Sequence, residues 1–170
     1  FAVKANSNLD VLALFKKLGA GFDIVSGGEL QRTIAVGCDP KKVIFSGVGK
    51  LAEEIDLALK VGIGCFNVES GSELDRIIER AIILGKQAPI SIRVNPNIDP
   101  RTHPYISTGL KENKFGVSTS QAIDLYRISK NNPHINIVGI DCHIGSQIME
   151  VAPLEESLTN LLGLAETLRN

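Results

Sequence analysis

A parallel α/β fold, and within that class a (β/α)8 barrel of which this chain holds about six βα units, is what two features of the sequence predict. The first is rhythm. Short β-branched runs alternate with helical patterns through the 170 residues, and the first four runs start roughly 20 residues apart, the pitch of successive βα units in a parallel sheet. The second is parity within the runs. Strands covered by helices on both faces read as nearly continuous apolar sequence. Here one parity carries Phe1, Val3, Phe22, Ile24, Phe66, Val68, Ile92, Val94, Ile140 and Cys142, whereas the other carries Lys4, Asn6, Asp23, Asn67, Glu69, Arg93, Asn95, Asp141 and His143. Side chains two apart share a face, so the apolar set packs on helices and the polar set points into a common interior, gathered towards strand C-termini. A barrel of this kind builds its site there. A Rossmann-like sheet with some buried polar residues is the alternative topology.

The elements follow in order. FAVKA (1–5) reads as a short buried strand, and it contains Lys4. LDVLALFKKL (9–18) spaces its apolar residues by three and four, as a helix does. FDIVS (22–26) is the next strand and SGGEL (26–30) a helix entrance, followed by the pattern GELQRTIAV. VIFSG (43–47), LAEEIDLALKV (51–61), CFNVE (65–69), SELDRIIERAIIL (72–84) and ISIRVN (90–95) continue the alternation, with most helical patterns ending near a glycine. Residues 96–118 interrupt it with an irregular, polar segment that includes His103, Tyr105, Thr108, Lys111 and Lys114. A connection of that length is usually functional when ordered, and we expect it over the C-terminal mouth. SQAIDLYRISK (120–130) and INIVGIDCHI (135–144) resume the pattern, and the last residues are again helical in spacing. A closed barrel needs eight strands, so the six found here are expected to be part of a longer domain.

Composition narrows the function. At 44% hydrophobic and 22% charged residues, with a formal net charge of -1, the chain has the profile of a globular protein. Neither disorder nor a membrane partner is expected, and the charge makes no case for nucleic acid. Small molecules are the expected ligands. Cys38, Cys65 and Cys142 show no metal-ligand spacing, so no metal is expected. An odd count of free thiols suits a reducing compartment, and the protein is expected in the cytoplasm. No GxGxxG opens the helix after the first strand and no GxxxxGK[ST] occurs, which removes the usual nucleotide-binding signatures.

Chemistry is sought among the inward residues. A buried lysine has to be neutralised, paired or used. Desolvated at a strand end, Lys4 could serve as an amine nucleophile on a carbonyl, or it could be a structural partner of Asp23 or Glu69. GIDCHIGSQ (139–147) adds His143 at the end of an inward-facing strand. Gly145 and Ser146 follow it, where a turn offers N–H groups and a hydroxyl to an anion. Imidazole beside an anion site suits a flat, phosphorylated cofactor. Arg93 requires an acidic or anionic partner, either Asp141 or a cofactor oxygen.

With Lys4 in AVKAN, Asp23 and Glu29 in FDIVSGGEL, and His143 and Ser146 in HIGSQ, the chain resembles the fold-type III pyridoxal-phosphate decarboxylases, which share the alanine racemase-like barrel. Across essentially the whole length, its wording is closest to the branch acting on diaminopimelate: IFSGVGK (44–50), CFNVES (65–70) and HPYISTGLKENKFG (103–116) are the specific strings. The resemblance implies pyridoxal 5'-phosphate held covalently on Lys4, His143 stacked on its ring, Ser146 on its phosphate and Asp23 near the ring, with Arg93 and Glu29 in support. It implies Lys4 and His143 as catalytic residues, meso-diaminopimelate as substrate, lysine as product and a homodimer as the working form. Residues 1–170 are then part of the cofactor-binding barrel domain, and the resemblance places a β domain, further phosphate contacts, a glutamate for the pyridine nitrogen and a proton-donor cysteine after residue 170. Other readings are a decarboxylase for ornithine or arginine, or a non-catalytic relative that binds a protein partner.

Overall fold

The computed structural model describes residues 1–95, 115–145 and 148–169. Five strands, β1 (Phe22–Ile24), β2 (Val43–Phe45), β3 (Cys65–Val68), β4 (Ala88–Arg93) and β5 (Ile135–Asp141), form one sheet in the order β1-β2-β3-β4-β5. Every pairing is parallel. This order separates the two candidate topologies. A doubly wound sheet reverses direction at a switch point, whereas right-handed crossovers that always step the same way leave their helices on one face. Helices α1 (Leu9–Lys17), α2 (Gly27–Ala35), α3 (Ala52–Val61) and α4 (Gly71–Leu84) pack each on the next, and α5 (Thr119–Lys130) packs on α6 (Ala152–Arg169). The result is an arc of a parallel barrel.

Local chemistry starts and stops the helices. Asn8, Ser26, Ser70 and Ser118 are N-caps whose side-chain oxygens accept from backbone N–H groups of the first turn, which supplies partners for otherwise orphaned donors. Gly62 and Gly85 end α3 and α4 in the left-handed conformation, where a Cβ is costly. The apolar strand parity is the core: Phe22, Ile24, Phe45, Phe66, Val68, Ile90 and Ile92 are buried with Leu30, Ile55, Leu74 and Ile77 of the helices. Between Ile90 and Ser91 the register of β4 and β5 shifts. Tyr126 of α5 occupies that bulge, donating to the Gly139 carbonyl (2.8 Å) and accepting from Ile92 N–H (3.1 Å). Its hydroxyl thereby serves backbone groups that the bulge separates, and burial raises its pKa to about 12.

Two expectations need correction. FAVKA is not a strand: Ala2 makes one isolated parallel bridge to Asp23, and Val3–Ala5 is a turn of 3-10 helix. Only the core-facing half of the run is buried, Val3 being fully so and Lys4 exposed. The ladder continues only where both neighbours supply paired backbone, and here it stops after one bridge. In addition, α6 spans 18 residues, of which only the final letters stood out as helical. Among the described residues, no helix is long and apolar enough to cross a membrane.

Candidate active site

The polar parity lines the concave face of the arc, and most of it is already connected. Ser46 donates to Asp23 Oδ1 (2.5 Å), Asn67 Nδ2 donates to Ser46 Oγ (3.1 Å), and Ser91 donates to Asn67 Oδ1 (2.6 Å). This row crosses from β1 to β4, with every hydroxyl proton directed towards the Asp23 end. Asp23 is therefore held in one orientation by a neutral donor. Its register comes from the backbone, where Asp23 N–H donates to the Phe1 carbonyl at 2.9 Å.

A second connection runs along the strand ends. Arg93 Nη1 donates to Glu69 Oε1 at 2.5 Å, and Asp141 Oδ2 lies 3.6 Å from Arg93 Nε. Glu69 is thus the main partner of Arg93, with Asp141 the more distant one. Phe115 covers the guanidinium, its ring centroid 5.5 Å from Cζ, a cation–π contact. Gly116 follows with φ +90, and a Cβ there would fall 2.6 Å from the Arg93 carbonyl oxygen. Burial raises the Asp141 carboxyl above its usual range; Arg93 opposes this, while Glu69 and Asp23 add to it.

Lys4 and His143 stand at the rim. Among the described residues Lys4 makes no side-chain hydrogen bond or ion pair. The two carboxylates offered to it by the sequence are engaged elsewhere, Asp23 by Ser46 and Glu69 by Arg93. The reason that Lys4 is exposed rather than buried is that it lies on the open concave side, past the one bridge of its run. His143 lies two residues beyond β5 and is exposed by area. Its pKa is lowered, first by partial desolvation and then by the Arg93 and Lys4 cations, with Glu69 and Asp23 acting the other way. Those four groups are the ones expected on the inward parity, so they share one mouth.

Glu29 sits at the entrance of α2, where Oε2 accepts from Val25 N–H (2.7 Å) and its own N–H is capped by Ser26. Ser146 and the segment from residue 96 to 114 lie outside the described residues. Sequence reasoning passed over Ser46, Ser91, Lys50 and Glu73. The parity that selected Arg93 also selects Ser91, and that of β2 selects Ser46. Nothing in the spacing marks Lys50, which ends the IFSGVGK string.

Comparison with known proteins decides what this arrangement belongs to. The profile of the family described as pyridoxal-dependent decarboxylase, pyridoxal binding domain, matches residues 1–170. The chain belongs to that family. The diaminopimelate decarboxylase of Pseudomonas aeruginosa is 56% identical over 168 residues, covering 99% of this chain and 40% of the relative. That of Haemophilus influenzae is 57% identical over 169 residues, covering 99% and 41%. The crystal structure of diaminopimelate decarboxylase from Helicobacter pylori complexed with L-lysine superposes with a TM-score of 0.93 at 48% identity, covering 99% of this chain and 43% of that one. The chain therefore spans about two fifths of the length of these decarboxylases.

The residues present suit a pyridoxal group. Among the described residues, the mouth of this pyridoxal-binding domain presents an amine without a partner at Lys4 and an imidazole biased towards its neutral form. Arg93 Nε and Glu69 Oε2 are buried polar atoms with no hydrogen-bond partner. Buried polar atoms are nearly always satisfied, so the cluster retains capacity for a further polar ligand.

Proposed function

We propose that this domain is the cofactor-binding part of an enzyme that decarboxylates meso-2,6-diaminopimelate to L-lysine and carbon dioxide, the last step of lysine biosynthesis. The observation that carries the reading is the Lys4 amine, without a partner among the described residues, at a rim that also holds His143 and Asp23. The names of the relatives, 56% and 57% identical, support the substrate, and the lysine held by the Helicobacter pylori enzyme supports the product.

In this reading Lys4 would hold pyridoxal 5'-phosphate covalently, and His143, Asp23 and Ser146 would be the residues that bind its ring and phosphate. The cofactor, when bound, supplies an electron sink for the pair left on carbon as carbon dioxide departs. The chain's own part is orientation and charge. His143, biased towards the neutral form by partial burial and then by Arg93 and Lys4, offers a flat uncharged face near neutral pH. Asp23 keeps its position because Ser46 and Asn67 fix it. Glu69 and Arg93 neutralise each other at the rim, and Glu29 holds the turn after β1 through Val25 N–H. Orientation of this kind is worth several orders of magnitude in rate when the reacting groups are held close. The same reading expects a homodimer in the cytoplasm, with no nucleic-acid or membrane partner. It also expects residues 1–170 alone to turn over substrate poorly, since they span 40% of the Pseudomonas aeruginosa relative's length.

The test is borohydride reduction of the protein at its natural length with pyridoxal phosphate, followed by peptide mapping. A stable adduct on Lys4 is expected. A folded protein without that adduct would remove the chemistry and favour the non-catalytic relative. Side-by-side turnover of meso-diaminopimelate, ornithine and arginine then identifies the substrate, and preference for either of the last two would overturn the assignment.

A further inference from the structure

Among the described residues the buried lysine is Lys50, 2% exposed, with its ammonium shared among three segments. It donates to the Gly47 carbonyl (2.7 Å), the Asn67 carbonyl (2.8 Å) and Glu73 Oε1 (2.5 Å). Three protons meet three acceptors. Glu73, 7% exposed in the first turn of α4, uses its other oxygen to accept from Glu69 N–H at 3.2 Å. Asn67 and Glu69 are the two residues through which β3 reaches the mouth: Asn67 carries the row to Asp23, and Glu69 holds Arg93. Both have backbone atoms tied to the Lys50–Glu73 pair.

We propose that Lys50 and Glu73 are positioning residues, which set the height of Asn67 and Glu69 and so aim Asp23 and Arg93 into the mouth. A buried ion pair adds little net stability over a well-packed apolar pair, so the effect of this one is geometric. Its catalytic meaning rests on the decarboxylase reading above. Its structural content does not, because the groups facing His143 are Arg93, Lys4, Glu69 and Asp23, and all of these but Lys4 depend on the pair.

Glu73→Gln isolates the claim. The carboxylate meets Lys50 with Oε1 and Glu69 N–H with Oε2, whereas the amide puts an NH2, a donor, in one of those two places and so faces one donor with another. The variant is made in the protein at its natural length, with folding checked by circular dichroism and thermal melting. The readout is the His143 titration followed by its imidazole proton resonance, which needs no cofactor. As Glu69 loosens, Arg93 is less neutralised, so the midpoint moves lower than in the wild type. In the loaded enzyme kcat falls by about 10- to 100-fold with KM little changed. A folded Glu73→Gln protein with an unchanged midpoint and unchanged kcat would overturn the proposal. If Glu73→Gln does not fold, the double variant Lys50→Met/Glu73→Leu removes both charges and takes the same readouts. Collapse of both variants would assign the pair to folding alone, which also overturns it. Failure of the wild type to take the label on Lys4 would sink the decarboxylase reading separately, and the His143 titration would still decide this one.

Discussion

Two lysines stand at opposite ends of the chemistry of this domain. Lys50 is buried and spends every proton on protein acceptors, whereas Lys4 is exposed at the rim and spends none among the described residues. The difference teaches where an amine remains available. Burial of an ammonium demands compensation, and an amine so compensated is committed to structure. Reactivity requires an amine that no carboxylate claims. Asp23 and Glu69 could each have claimed Lys4, and each is held instead by a donor on a neighbouring element.

The contrast can be broken most directly by exchanging the losses. Lys4→Ala is expected to abolish turnover, on the order of 10⁴-fold or more, because the proposed reading makes this amine the covalent anchor. Its stability should stay within about 0.5 kcal/mol of wild type, as for an exposed side chain without partners. Denaturant melts beside a turnover assay check both halves, and a strongly destabilised Lys4→Ala would show that the amine has a structural partner after all. Lys50→Met should behave in the opposite sense, losing about 3–5 kcal/mol of stability because the Glu73 carboxylate is left buried and uncompensated. The same melts measure it, and a near-wild-type midpoint would mean that water or rearrangement satisfies Glu73.

A smaller effect sharpens the comparison within the mouth. Ser46→Ala removes the donor that holds Asp23 and the acceptor for Asn67. We expect a loss of about 1 kcal/mol in stability, together with weaker cofactor binding in a fluorescence titration. Unchanged binding would mean that the row does not orient Asp23.

The smallest effect is electrostatic. His143 titrates below its ordinary value of 6.5 in the folded chain. Between that value and the folded midpoint, the unfolded chain binds a proton that the folded chain does not. Stability from this group is therefore full above the ordinary value, declines as pH falls through the window, and levels below the folded midpoint. Because Lys4 is one of the cations holding the midpoint down, Lys4→Met should raise it, as read by the imidazole resonance. No movement would place Lys4 farther from His143 than the structure does.

The balance between the two lysines also shows what could be read in advance. Asp23, Arg93, Glu69, Asp141 and His143 were legible by strand parity alone, and the helices from α1 to α5 by apolar spacing. Lys4 was legible as chemically unusual but for an inexact reason: it was expected in a buried strand, and it lies on a 3-10 turn at an open rim. Lys50 was not legible. It follows a glycine outside any periodic run, and its three acceptors come from Gly47, Asn67 and Glu73, of which two are distant in sequence.

What the sequence by itself determined is periodic and local. Alternation along a strand, three-and-four spacing along a helix, and caps at Asn8, Ser26, Ser70 and Ser118 depend on neighbours a few residues away, and they sufficed for a parallel α/β arc with a polar concave face. Only the tertiary structure decided which polar group meets which. Glu69 rather than Asp141 is the close partner of Arg93, Ser46 rather than Lys4 holds Asp23, and Lys50, not Lys4, is enclosed by the core. These choices turn on distances between strand ends more than 20 residues apart in the chain, and the energy of a polar contact is set by that distance and by the water left around it.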